Sequence, residues 1–180
     1  MRWLAPLVLM ASPVIAQSAE PSSTSATYGN WTVSCVQTAD QKVCQMVTKL
    51  NLKAADGQLR PLLEIAIGQP PSGGDLRIVL QVPMDVSLRE AVVVSIDAEG
   101  ADPEVSPKPQ KDLISASYIA CVPTGCIADA VLDGASLTSL QGAATMTTSF
   151  TALNGAKKIS VPVPLDGFGD AWAALGVALP

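Results

Sequence analysis

Four cysteines, Cys35, Cys44, Cys121 and Cys126, are the first residues in this chain whose chemistry invites a question. Cys121 and Cys126 enclose Val122-Pro123-Thr124-Gly125, a C-x4-C spacing. A reactive dithiol is normally set as C-x-x-C at a helix start, where the helix terminus or a nearby cation lowers the thiol pKa. No basic neighbour and no helical pattern accompany this pair, so a structural disulfide is the better reading. Four thiolates are also a zinc ligand set in principle. The choice depends on compartment.

Histidine is absent from the 180 residues. That excludes Ser-His-Asp and Cys-His nucleophile arrangements, imidazole metal sites and the usual general base at neutral pH. Carboxylate pairs such as Glu64 with Asp75, or Asp129 with Asp133, have the right groups for hydrolysis. Nothing in their spacing selects one pair, and solvated surface charge accounts for them. Met46, Met84 and Met146 are soft donors, but each stands singly in an apolar run and reads as core filling. No catalytic, cofactor-binding or metal-ligating residue is expected, and no enzyme.

The first residues settle the compartment question. Met1-Arg2-Trp3 leads into the apolar run Leu4 to Ala16, broken by Pro6 and Pro13 and closed by Val14-Ile15-Ala16 before Gln17. A short positive start, an apolar stretch and small residues at its end predict a secretory signal peptide, residues 1–16, cleaved near Ala16. Arg2 stands alone and no cysteine follows the run, so neither a twin-arginine nor a lipoprotein signal is expected. No other segment has the length and apolarity of a transmembrane helix. The expected location is the periplasm, or a secreted or envelope-associated state. In that setting four cysteines predict two disulfides rather than zinc, with three connectivities open.

Sixteen acidic and eleven basic residues give a net charge of −5 without a basic run. That balance argues against nucleic acid, and against anionic membrane surfaces, as partners. A protein or envelope component is left as the expected partner. Apolar residues make up 48% of the chain but aromatics only 4%, so a real core must be built from Val, Leu, Ile, Ala and Met.

Residues 17–27 (QSAEPSSTSAT) show no periodicity and are expected as a flexible tether, with residues 28–180 a single domain. Trp31, Val33 and Cys35 alternate with polar residues, as do Cys44, Met46, Thr48 and Leu50. A register setting Cys35 opposite Cys44 also sets Val33 opposite Met46 and Trp31 opposite Thr48. One pairing joins the cysteines and gathers the bulky side chains. Further strands are expected around Leu62–Ile67, Leu76–Val82, Ala91–Asp97, Leu113–Cys121, Cys126–Val131, Ala144–Thr151 and Lys158–Val163. The run 102–112, with three prolines, reads as a loop. Pro123 and Thr124 suit the centre of a type I turn, with Gly125 in a bulge after it.

Two short helices are expected late, near Asp133–Gly142 and over Phe168–Leu175. Many strands, Gly/Pro turns and no βαβ alternation predict an all-β, antiparallel sandwich or barrel.

Several segments, taken in order, resemble one family. They are Tyr28 to Cys35 (YGNWTVSC), Cys44, Val82 to Leu88 (VPMDVSL) leading to Ile96-Asp97, Cys121 to Cys126, and Leu165-Asp166-Gly167-Phe168 with its Ala-rich helix. Together they resemble the invasion-associated locus B family of exported bacterial proteins over roughly Tyr28 to Leu175. Met84-Asp85 and Arg89-Glu90 depart from its pattern in one turn. The resemblance implies an immunoglobulin-like β-sandwich, an envelope location, no cofactor and a non-enzymatic binding or structural role in host-cell interaction or envelope maintenance. The alternatives are a carboxylate-dependent envelope hydrolase, or an inhibitor or chaperone-like protein offering an open strand edge.

Overall fold

Alternating side chains decide where each strand turns its apolar face. In Arg77–Val82, Ile78, Leu80 and Val82 are buried, while Arg77, Val79 and Gln81 lie half-buried on the other face. The structure, a computed structural model, describes residues 22–37, 41–98, 109–154 and 157–176. The signal peptide expected at residues 1–16 lies outside them, as do residues 17–21, 38–40 and 102–108 of the expected tether and loops.

The strands are β1 (Ser22–Tyr28), β2 (Trp31–Gln37), β3 (Lys42–Lys53), β4 (Leu59–Gly68) and β5 (Arg77–Val82). They continue with β6 (Val92–Asp97), β7 (Gln110–Val122), β8 (Gly125–Val131), β9 (Thr145–Thr151) and β10 (Lys158–Pro164). Helix α1 (Gly134–Gly142) separates β8 from β9, and α2 (Phe168–Leu175) follows β10. The antiparallel all-β class with two short late helices is as expected.

The strands hydrogen-bond in the order β1-β2-β3-β4-β5-β8-β7-β6-β9-β10. The order is continuous through two groups of strands, β1–β5 with β8 and β7, and β7 with β6, β9 and β10. Strand β7 makes the continuity. Residues 110–116 pair with β6 and residues 117–122 with β8.

Strand β1 corrects one expectation. Residues 22–27 were expected within a flexible tether, yet Ser22 to Tyr28 pair with Gln37 to Trp31 along their whole length. Both faces of β1 are exposed apart from half-buried Tyr28, so it carries no apolar alternation to signal a strand. Backbone hydrogen bonds to β2 define it instead.

One buried cluster draws on every other strand and on both helices, including Trp31, Met46, Leu63, Leu80, Val94, Ile114, Leu140 and Phe168. Helix α1 is capped by Asp133, whose carboxylate accepts the Ser136 N–H at 2.7 Å, and buries Leu137 and Leu140. Helix α2 buries Phe168, Ala171, Trp172 and Leu175 against β1, β2 and β3. Its Phe168 ring meets Trp31 edge to face, with centroids 5.0 Å apart and planes at 89°. Such a contact adds about 0.5–1.5 kcal/mol beyond area burial.

Just outside that aromatic pair two turns cross. The Asn30 N–H donates to the Asp166 carbonyl at 3.1 Å. Gly29 (φ 53°) and Gly167 (φ 77°) both adopt left-handed backbone there. A Cβ on Gly29 would meet the Asp166 carbonyl, and one on Gly167 the Tyr28 carbonyl. Gly57 has a similar φ of 80° in the β3–β4 turn, with nothing close to its Cβ position. The two glycines separate backbone strain from close approach.

Urea unfolding should show Gly57→Ala losing about 1 kcal/mol, the left-handed cost alone. Gly167→Ala should lose about 3 kcal/mol or more because the turns must also part. Equal losses would remove the crossing from the account.

Candidate functional site

The cysteines come together as two local clips. Cys35 is bonded to Cys44 and Cys121 to Cys126, each pair with Cα atoms 4.0 Å apart. Both are directly opposed across antiparallel strands, in the register that also sets Val33 opposite Met46. Cys35 and Cys126 point into the core, while Cys44 is half-buried and Cys121 exposed. The second clip closes the turn Pro123-Thr124 between the paired residues Val122 and Gly125. Gly125 (φ 149°) sits where a Cβ would run into the Val82 carbonyl of β5. The bulge expected at Gly125 lies earlier, between Tyr118 and Ala120, and leaves Ile119 without a cross-strand partner.

The carboxylates considered for hydrolysis do not meet. Glu64 forms an ion pair with Lys49 at 3.1 Å on the outer face of β3 and β4. It lies beside Gln81 in the register, whereas Asp75 precedes Arg77 at the other end of β5. Asp129 accepts from the Arg77 guanidinium, with Nε to Oδ2 at 2.8 Å, in a partly buried pair. Asp133 caps α1, and the Ser136 N–H holds its carboxyl below the ordinary value. Three of the four thus have structural partners.

Met46 and Met146 are fully buried and Met84 is exposed, so the sulfurs do not converge. Among the described residues no cluster of three or more Cys, Asp or Glu has the arrangement of a metal site. Burial raises the Tyr118 phenol above its ordinary pKa, and its hydroxyl has no hydrogen-bond partner. It stays neutral at neutral pH.

The surface concavities are shallow. One, of about 570 Å³, lies between Gln41–Cys44, Gln69–Gly73 and the end of α2 at Ala174–Gly176. Among the described residues, Lys42 is its one charged lining residue. Another, of about 460 Å³, lies beside α1 with Asp97 and Lys111 in its wall. The Thr138 and Ser139 hydroxyls in the second donate to the Gly134 and Ala135 carbonyls of their own helix.

A feature that residue-by-residue reading missed lies on the surface. Eight large apolar side chains are exposed among the described residues. Six of them, Leu52, Leu59, Met84, Leu88, Ile119 and Leu153, stand at or near one end of the strands. Leu52 and Leu59 flank the β3–β4 turn, where residues 51–53 and 59–61 are exposed on both faces and project past the core. Met84 and Leu88 belong to the β5–β6 connection and Leu153 to the β9–β10 turn. Those two loops are tied by Leu153 N–H to Asp85 O at 2.9 Å and Ser87 N–H to Thr151 O at 2.8 Å. The Gln81 amide, donating to the Thr124 carbonyl at 3.0 Å, joins the disulfide turn to the end of β5. Val36 and Val131 are the two at the opposite end. A count of apolar residues by topological end would have revealed it.

Serine replacement of each cysteine pair tests the clips by unfolding measurements. Closing loops of nine and five residues, they should contribute about 2.5 and about 2 kcal/mol in the chain-entropy picture. Both variants should fold. An unchanged unfolding midpoint in either would contradict a stabilising role.

Comparison with known proteins gives a consistent result. The family model described as Invasion associated locus B (IalB) protein matches residues 31–176. Two Invasion protein B homologs, from Brucella abortus (strain 2308) and Brucella abortus biovar 1 (strain 9-941), are each 27% identical over 150 residues. The alignment spans 83% of this chain and 78% of each relative. The crystal structure of invasion associated protein b from Bartonella henselae is similar with a TM-score of 0.64 at 22% identity. That likeness covers 84% of this chain and 94% of the other, and bears on the fold alone.

Proposed function

The chain belongs to the invasion associated locus B family, and from that premise we propose that it is an exported envelope protein acting by binding, without catalysis. The two disulfides carry the export part of this reading. Cross-links that include an exposed cysteine persist in an oxidising compartment and are kept reduced in the bacterial cytosol. The leader-like residues 1–16 supply the route.

Binding is favoured over hydrolysis by where the polar groups stand. The carboxylates considered for hydrolysis are separated, and Glu64, Asp129 and Asp133 are engaged with Lys49, Arg77 and the start of α1. The relatives are named as invasion proteins, and contact with a host cell is the role those names suggest for this chain. The exposed apolar end offers a contact surface of the right character.

Fractionation of an expressing bacterium, with mass analysis of the product, tests the proposal. The expected product is released with the envelope fraction, lacks residues 1–16 and carries both disulfides without added oxidant. Used as bait in envelope or host-membrane extract, it should retain a component reproducibly. A full-length, reduced cytosolic product would overturn the export reading, and turnover of a cell-wall polymer would overturn the non-enzymatic one.

A further inference from the structure

The exposed apolar end also carries five of the chain's eleven basic residues. Lys53 and Arg60 lie on the β3–β4 hairpin, Arg89 on the β5–β6 connection, and Lys157 and Lys158 at the β9–β10 turn. Against these five stand three carboxylates, Asp56, Asp85 and Glu90. The end therefore has a formal excess of two positive charges on a chain whose net charge is −5. Arg60 is paired with Asp56 at 3.2 Å, and Glu90 accepts from the Thr151 hydroxyl. Among the described residues, the rest of the molecule carries eight acidic residues against four basic ones. Whole-chain charge argued against anionic surfaces, but a sum over the chain hides this separation.

We propose that this end docks on an anionic phospholipid bilayer. Three observations favour lipid over a protein groove. The six apolar side chains are exposed on separate strands and loops, so each can enter a headgroup layer individually. Basic side chains share the same hairpin, connection and turn, and their long aliphatic stems let the charged heads stay among lipid phosphates while apolar tips enter. The charge asymmetry also orients the molecule, because an anionic surface attracts this end and repels the acidic remainder. The inter-loop hydrogen bonds hold two of the apolar loops together, so docking requires no ordering of that pair.

This inference rests on the reading of an exported binding protein, and its test keeps the two separable. Protein recovered from the exported fraction, with mass showing loss of residues 1–16, is floated with vesicles. One set contains phosphatidylglycerol and phosphatidylcholine, the other phosphatidylcholine alone. The protein should float with the anionic vesicles only, and less as salt rises from about 50 to about 500 mM. Leu59→Ser/Leu153→Ser should lower the bound fraction about fivefold or more, by removing two of the inserting side chains. Val36→Ser/Val131→Ser, at the opposite end, should leave it unchanged.

Processed protein that ignores anionic vesicles overturns the docking inference and leaves the export reading standing. Equal loss in both double variants overturns it as well. So does a vesicle-free dimer that Leu59→Ser/Leu153→Ser disperses, which would make the end a self-association surface. A product retaining residues 1–16 counts against the export reading on which the inference rests.

Discussion

Two turns that cross at glycines close this fold. Strands β1 and β2 lie at one end of the hydrogen-bonded order and β9 and β10 at the other. Among the described residues no strand pairing joins these ends. The Tyr28-Gly29-Asn30 turn presses on Leu165-Asp166-Gly167, and the edge-to-face pair of Trp31 and Phe168 seals the interior beside them. A Cβ at either contact would collide with the facing turn, so both glycines favour the position of α2 over β1–β3. The contact links segments far apart in sequence.

The disulfides do a more local task. Each staples one hairpin, and neither bridges distant parts of the chain. They leave global closure to the crossing and the core. This division makes sense of where the apolar surface lies. The β3–β4 hairpin and the loops tied to the β9–β10 turn project beyond the core, while the second disulfide fixes the neighbouring β7–β8 turn. A stapled and hydrogen-bonded rim can present apolar side chains to a partner without collapsing onto its own core.

Much of this architecture was legible before the structure. The Cys35–Cys44 register could be read because period-two alternation and the cysteines specify the same pairing. Both helices were legible from the spacing of their apolar residues and from the residues at their ends. Strand β1 was not, since a strand exposed on both faces has no hydrophobic signal. The sharing of β7 between two partners was equally hidden, because each half reads as an ordinary strand. The crossing of Gly29 and Gly167 depends on a contact that no local pattern encodes. The basic, apolar end escaped because composition adds charges irrespective of where the fold places them.

Amide hydrogen exchange on Phe168→Ala, followed by mass spectrometry against the parent protein, tests the closure most directly. Closure by the crossing predicts that α2, β1, β2 and β10 lose protection together, while β4, β5 and β8 keep theirs. Loss confined to α2 would contradict it, leaving the helix as a cover on a sheet that closes by other means.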